Sequence, residues 1–321
     1  MTEKFWTKKT VVWLGALVCC FLWGSAFPCI KIGYKWIEIA AYDTASQMYF
    51  AGIRFTIAGV LAVLLGSLIE KRFLRPTAQS LKKVIKLSML QTVGQYTFFY
   101  IALAHTTGVK ASILESMNVF AAIIIAAFLF HQEKITIKKI AGCVLGFAGV
   151  VLVNLSGSGF DATFTLKGEG FMLISTVLYA FSSVVLKIMS KDDNPVMLSG
   201  YQFILGGIIM AIIGKAFGGH FEVFPPKALM MMLWLAMVSA VAYSLWGILL
   251  KFNPVSQVAV FGFMNPVFGV LLSALLLDEA STLGIKALIS LVLVCVGIYI
   301  VNSGDGQIVA KKSDEDKPQK L

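Results

Sequence analysis

The chain has 321 residues, of which 58% are hydrophobic and 14% are charged, and its mean hydropathy is +0.83. Soluble globular domains carry about 25% charged residues, so this composition excludes an ordinary soluble domain and indicates a membrane protein. The net charge of +10 does not indicate nucleic-acid binding, because the basic residues are distributed along the whole chain and form no single patch.

Apolar runs long enough to cross a bilayer follow one another along almost the entire chain. A hydrocarbon core of about 30 Å needs about 20 apolar residues per helix. The runs are continuous, whereas the strands of a membrane barrel alternate over about ten residues, so helices are favoured. The sequence predicts an all-α membrane protein whose ten transmembrane helices lie at 11–33, 46–69, 84–104, 109–130, 138–155, 168–190, 197–217, 228–250, 257–277 and 284–302.

The positions of Lys and Arg predict the orientation. With the amino terminus in the cytoplasm, cytoplasmic segments hold 19 of the 27 basic residues, outer segments hold 7, and Arg54 lies within a helix. Because basic residues accumulate on the cytoplasmic side, both termini are expected there. We therefore expect a multi-pass protein of the inner or plasma membrane.

The two halves of the chain resemble each other. Residues 51–61 align with 199–209 at an offset of 148, so Phe55 matches Phe203 and Gly59 matches Gly207. Leu22 to Lys31 also resembles Leu178 to Lys187, SMNVF at 116–120 resembles FMNPV at 263–267, and GVVLVN at 149–154 resembles GIYIVN at 297–302. These matches indicate an internal duplication.

Five helices per half is an odd number, so the second copy enters the membrane from the opposite side. The predicted units are a first repeat at 11–155, an extracytoplasmic connector at 156–167, a second repeat at 168–302 and a disordered cytoplasmic tail at 303–321. Inverted repeats around one central site are typical of secondary transporters.

Two ionisable residues lie inside predicted helices. Glu115 is about seven residues from the outer end of the fourth helix, roughly 10 Å deep, and Arg54 is at a similar depth in the second. One interpretation is a buried ion pair that locks the two helices together. In the other, Glu115 binds a proton or a substrate ammonium, since a carboxylate in an apolar medium is protonated more readily than one in water, and Arg54 is its neighbour or an anion anchor.

Polar and aromatic side chains mark a candidate substrate site in the predicted helices. Tyr100, near a helix end, is assigned to the interfacial aromatic belt. Deeper aromatic rings with amides and hydroxyls around them suit a substrate with an apolar ring and a polar head. The predicted substrate-binding residues are Trp23, Ser25, Gln95, Tyr96, Asn118, Tyr179, Ser182, Gln202, Tyr243 and Asn265.

Enzymatic motifs are absent from the sequence. It contains no HExxH, GxSxG, GKS, GKT or CxxC pattern. The five cysteines all fall in apolar runs, which favours buried thiols over metal ligands or disulfides. No enzyme activity, catalytic residue, metal or cofactor is expected.

Several stretches resemble the EamA family of the drug/metabolite transporter superfamily. They are FLWGSAFPCIKIG at 21–33, the Arg54-Phe55 pair, and the ends of both halves at 131–154 and 277–302. The resemblance covers residues 11 to 302. It implies ten helices with cytoplasmic ends, a central substrate cavity, helices 5 and 10 at the periphery, transport of small metabolites such as amino acids, and no cofactor.

The chain also departs from the pattern that the resemblance implies. Glu115 stands where a small or apolar residue is expected, and Gln202 replaces an arginine of the second repeat. Asn118-Val119 lacks the usual proline, which Asn265-Pro266 keeps. Glu133 and Glu279 match an acidic position next to a short loop in each repeat, and we interpret both as structural.

The sequence therefore predicts a secondary transporter that exports small organic metabolites such as amino acids. It works by alternating access, with proton coupling as one option and uncoupled facilitation as the other. A membrane-embedded enzyme and a regulatory or scaffolding membrane protein are weaker alternatives. The expected partners are a small-molecule substrate and the lipid bilayer, without nucleic acid, and the sequence is compatible with a homodimer.

Overall fold

A computed structural model describes residues 3–40, 42–106, 111, 114–154, 164–276 and 285–304, and all regular structure in these residues is helical. Residues 156–163 of the predicted connector, the tail from residue 305 and Glu279 lie outside them. A single turn, Glu3–Trp6, precedes the first long helix. The helices are α1 (Lys9–Trp36), α2 (Thr44–Ile69), α3 (Ala78–Leu87, Ser88–Gly94 and Gln95–His105), α4 (Asn118–Ile124 and Ile125–Leu129), α5 (Ile137–Asn154), α6 (Leu166–Gly170 and Phe171–Met189), α7 (Pro195–Ala216), α8 (Pro226–Phe252), α9 (Val255–Ala259, Val260–Phe263 and Met264–Leu276) and α10 (Ile285–Gly304).

Local sequence signals explain several helix starts. The Asp43 carboxylate accepts a hydrogen bond from Ser46 N at 3.0 Å at the start of α2. Asn194 Oδ1 does the same for Val196 N at 2.8 Å, next to Pro195 in the first turn of α7. Such residues satisfy backbone donors that have no partner inside the helix, and proline is well tolerated at the first position.

Five of the described helices are long and apolar enough to cross a membrane: α1, α2, α6, α7 and α8. Shorter apolar stretches lie at Leu114–Leu129, Val255–Gly269 and Leu288–Ser303. Large apolar side chains such as Leu64 and Ile212 are exposed on the outer faces of α2 and α7. Lipid-facing surfaces are expected to be apolar in this way, because lipid tails cannot solvate polar groups.

Glycines bring α2 and α7 into direct backbone contact. A Cβ atom added at Gly59 would lie 2.4 Å from the carbonyl oxygen of Gly200, and one at Gly207 would lie 2.5 Å from the backbone N of Thr56. As residue numbers rise along α2, the contacting numbers on α7 fall, so the two helices are antiparallel. They occupy equivalent places in the two halves, and such small-residue contacts are common between membrane helices.

We expect Gly59→Val to destabilise the fold, because neither backbone can move away without separating α2 from α7. Overpacking in a tight core costs about 1–3 kcal/mol or more. Thermal unfolding in detergent should show a clear fall in Tm. Leu64→Val, on the exposed face of the same helix, is the matched control. An unchanged Tm for Gly59→Val would contradict the close packing.

The remaining contacts repeat in the same symmetric way. Helix α5 packs on α10, its own equivalent, and a Cβ at Gly297 would lie 2.5 Å from the Gly142 carbonyl oxygen. The contact of α1 with α8 corresponds to that of α6 with α3, and the contact of α1 with α9 corresponds to that of α6 with α4. Equivalent helices are therefore related by an approximate two-fold axis, which runs beside the stacked rings of Phe55 and Phe203.

Glu133 connects the loop after α4 to the start of α9. Its carboxylate accepts hydrogen bonds from Lys139 Nζ at 2.8 Å, from Ser256 N at 3.1 Å and from the Ser256 hydroxyl. Burial alone would raise the pKa of Glu133, but Lys139 and the Ser256 hydrogen bonds outweigh it and lower the pKa below the ordinary value. The arrangement is that of a structural tie.

This lowered pKa predicts an acid-sensitive contribution to stability. The contribution is complete above the ordinary Glu value of 4.5 and is lost as pH falls through the lower folded-state value. Thermal unfolding between neutral and acidic pH should therefore show a steeper loss for the parent than for Glu133→Gln. Parallel curves would mean that Glu133 does not contribute through its charge.

Candidate functional site

A cavity of about 100 Å³ lies among α1, α2, α3, α4, α6, α8 and α9. This is room for about three water molecules, so the cavity is on the scale of a small solute. Nine of the predicted site residues line it: Trp23, Arg54, Gln95, Tyr96, Glu115, Asn118, Tyr179, Tyr243 and Asn265. The structure thus brings together, from seven separate parts of the chain, most of the residues that the sequence predicts for the site.

Aromatic rings form one wall of the cavity. The Trp23 ring meets the ring of Tyr243 edge-on at a centroid distance of 5.1 Å and that of Tyr179 at 6.5 Å. The Tyr96 and Tyr243 hydroxyls are 2.8 Å apart and hydrogen-bonded. Because Tyr96 belongs to α3 and Tyr243 to α8, this contact joins the two halves beside the approximate two-fold axis.

Arg54 is buried, with 4% of its surface exposed, and its guanidinium lies 4.3 Å from the centre of the Phe55 ring. Its Nε has no hydrogen-bond partner in the described part of the chain. None of the ion pairs formed by the described residues includes Arg54 or Glu115. The structure therefore does not contain the locking ion pair between them that the sequence left open.

Glu115 lines the same cavity from the short helical turn that directly precedes α4. Asn118 Nδ2 donates a hydrogen bond to the Glu115 backbone oxygen at 2.6 Å, which ties the first turn of the helix together. Tyr96 and Tyr243 line the cavity as well. The two ionisable groups and the hydrogen-bonded tyrosine pair thus border one small space.

Other polar atoms at the cavity also lack partners. Among the described residues these include Trp23 Nε1, Gln95 Oε1 and Asn265 Oδ1. A buried polar group without a hydrogen bond costs about 1–3 kcal/mol. Several such groups therefore surround one cavity, where a polar ligand or water has room to bind them.

Three predicted residues do not line the cavity in this conformation. The Ser25 hydroxyl donates to the Leu22 backbone oxygen at 2.6 Å, and the Ser182 hydroxyl donates to that of Tyr179 at 2.8 Å. Gln202 lies on α7 in a separate buried cluster with Gln91 and Thr92.

The structure also adds residues to the site. Tyr100 was assigned to the interfacial belt, but it is 2% exposed and lines the cavity. The assignment was wrong because Tyr100 follows Tyr96 by one helical turn and so lies on the same face of α3. The remaining additions are Ala26, Ile30, Phe99, Val238 and Ser239. The small and apolar ones had no distinguishing sequence signal.

Comparison with known proteins identifies the family. The model of the EamA-like transporter family matches residues 10–155 and again residues 166–303. A solved crystal structure has the same fold, with a TM-score of 0.73 at 17% identity, over 91% of this chain and 96% of the other.

Several relatives have names that describe them as transporters. An "Uncharacterized transporter" of Archaeoglobus fulgidus is 29% identical over 80% of this chain and 86% of its own length. A "Probable amino-acid metabolite efflux pump" of Escherichia coli is 26% identical over 89% of this chain and 92% of its own. With the family match covering nearly the whole sequence, the protein belongs to the EamA-like transporter family and is a multi-pass membrane protein.

Proposed function

We propose that the protein is a secondary transporter that exports small organic metabolites, amino acids above all, across the cell membrane by alternating access. One observation carries the proposal: Arg54 and Glu115, which form no ion pair in the described part of the chain, border the same small cavity inside a membrane protein. Unpaired buried charges are costly, and in membrane proteins they mark substrate or ion pathways.

The proposed topology has ten membrane spans in two inverted repeats, at 11–155 and 168–302, with both termini in the cytoplasm. The antiparallel course of α2 and α7 supports inversion, because equivalent helices of two parallel repeats would run in the same direction. The predominance of basic residues in the segments on the amino-terminal side supports the orientation.

The charges suit a zwitterion. A substrate carboxylate would accept hydrogen bonds from the Arg54 guanidinium, and the Glu115 carboxylate would bind the substrate ammonium or a coupled proton. Trp23, Tyr179 and Tyr243 would contact the apolar part of the substrate. The efflux-pump names of the enterobacterial relatives support amino acids as the substrate class.

The conformation supports alternating access. Ile30 and Tyr100, which line the cavity, lie toward the proposed outer ends of α1 and α3. Toward the proposed cytoplasmic ends, the halves are joined by contacts beyond the cavity: Lys83 Nζ lies 2.7 Å from Asp193 Oδ2, and the Tyr201 hydroxyl donates to the Leu74 backbone oxygen at 3.1 Å. The cavity is thus on the outer side of these contacts.

Flux of labelled L-alanine, L-leucine and L-phenylalanine in proteoliposomes, with and without an imposed pH gradient, tests the proposal. Transport that responds to the gradient supports proton coupling. Transport that ignores the gradient would make the protein an uncoupled facilitator. No flux of any solute in a wider metabolite panel would favour a regulatory or scaffolding role.

A further inference from the structure

The two halves place equivalent residues in different surroundings. Arg54, Val238 and Ser239 line the cavity, and we call them the open triplet. In the other half, Arg54 corresponds to Gln202, 148 positions later. Val238 and Ser239 correspond to Gln91 and Thr92, 147 positions earlier. We call Gln202, Gln91 and Thr92 the closed triplet. Thr92 Oγ1 donates to Gln202 Oε1 at 2.6 Å and Gln202 Nε2 donates to Gln91 Oε1 at 3.1 Å, and each of the three is at most 1% exposed.

Geometry supports this equivalence independently of the sequence match. Tyr96 and Tyr243 are 147 positions apart and meet through their hydroxyls. Phe55 and Phe203 are 148 apart, and their rings stack at 5.1 Å with an interplanar angle of 15°. Equivalent residues that touch must lie beside the approximate two-fold axis. The open and closed triplets therefore lie on opposite sides of that axis.

The helices that contribute to the triplets differ in the same way. Gln91 and Thr92 lie in Ser88–Gly94, a π-helical segment of α3. The equivalent stretch of α8, around Val238 and Ser239, is regular α-helix. π-helical turns are rare and frequently occur at functional sites. One repeat thus has a backbone conformation that the other lacks, although their sequences correspond.

In transporters built from inverted repeats, one repeat rocks against the other around a central site, which opens to alternate sides of the membrane. Because the two repeats are equivalent, such a movement would exchange the surroundings of the open and closed triplets. We propose that, in the cytoplasm-facing state, the closed triplet opens and Gln202, Gln91 and Thr92 bind the substrate, while the open triplet packs together. The inference rests on the proposed alternating-access function. It assigns the predicted residue Gln202 to the other state and adds Gln91 and Thr92, and none of the three lines the cavity in the present conformation.

The two faces would then bind the same substrate with different chemistry. The outer face offers the Arg54 guanidinium, and the cytoplasmic face offers neutral amides and a hydroxyl. Charge-assisted hydrogen bonds are roughly twice as strong as neutral ones. The substrate concentration that gives half-maximal transport should therefore be higher on the cytoplasmic side than on the outer side. Such weak binding suits an exporter that takes its substrate from a concentrated cytoplasmic pool.

Side-specific cysteine labelling tests the exchange with a matched pair of variants, Thr92→Cys and Ser239→Cys. A membrane-impermeant methanethiosulfonate reaches the outer side of intact cells and the cytoplasmic side of inside-out vesicles. We expect Ser239→Cys to react from outside and Thr92→Cys from the cytoplasmic side, each about tenfold or more faster than from the opposite side. In the parent, Cys19, Cys20, Cys29 and Cys143 are buried and Cys295 is exposed on α10, so Cys295→Ser is introduced into the parent and into both variants, and this parent provides the background.

Labelling of Thr92→Cys from the outer side would overturn the proposal. So would its protection from the cytoplasmic reagent while the same vesicles exchange labelled L-leucine over many turnovers. The pair Gln91→Cys and Val238→Cys applies the same test if the first pair does not fold. If the expected labelling occurs without flux of any amino acid, the exchange stands and the proposed substrate class is wrong.

Discussion

We expect the replacement of Arg54 with glutamine to lower transport of amino acids by about 100-fold, because losing one member of a buried charge pair costs about 2–5 kcal/mol and each 1.4 kcal/mol is tenfold. Arg54 borders the cavity without an ion-pair partner among the described residues, so the substrate carboxylate is its expected partner. Glutamine is also the residue that the second half has at the equivalent position, Gln202, so it is compatible with packing between α2 and α7.

Comparison of each amino acid with its α-amide separates binding from folding. The α-amide lacks the negative charge, so the parent should prefer the acid and Arg54→Gln should lose that preference. Arg54→Lys keeps the positive charge but loses the planar guanidinium that can donate two parallel hydrogen bonds to a carboxylate, so partial activity is expected. Lys35→Gln removes an exposed positive charge near the end of α1 and is the control. Equal losses for acid and amide would assign Arg54 to folding.

Glu115→Gln has the second large effect: we expect it to abolish the response of transport to a proton gradient. One pH unit corresponds to 1.36 kcal/mol, so one coupled proton supports about tenfold accumulation per unit. Glutamine has nearly the same shape as glutamate but cannot take up a proton. The variant should therefore bring the labelled amino acid only to equal concentrations on both sides.

The control for this experiment is Glu222→Gln, which removes an exposed carboxylate in the loop before α8. It should keep the accumulation of the parent. If Glu115→Gln also keeps it, the proton site lies elsewhere. If Glu115→Gln instead reduces flux both with and without the gradient, Glu115 is the ammonium site.

The sequence by itself determined the local elements and their repetition. Apolar runs predict helices because each membrane helix satisfies its backbone hydrogen bonds internally, without help from distant residues. The offset of 148 that aligned Phe55 with Phe203 came from matching short stretches of the two halves, without any structural information. The depth of Trp23, Tyr96, Tyr179 and Tyr243 followed from the lengths of the runs, and these residues do share one cavity.

Only the tertiary structure decided which helix faces meet. A sequence places Arg54 and Glu115 at similar depths, but the rotation of α2 and α4 about their axes decides that both border the cavity without pairing. The same holds for Tyr100, whose depth suggested the belt and whose helix face points to the cavity. Gln202 gives the clearest example. It aligns with Arg54, but in this conformation Arg54 borders the cavity and Gln202 is buried in a hydrogen-bonded cluster. Aligning the two repeats does not show which of two equivalent residues faces the cavity in a given conformation.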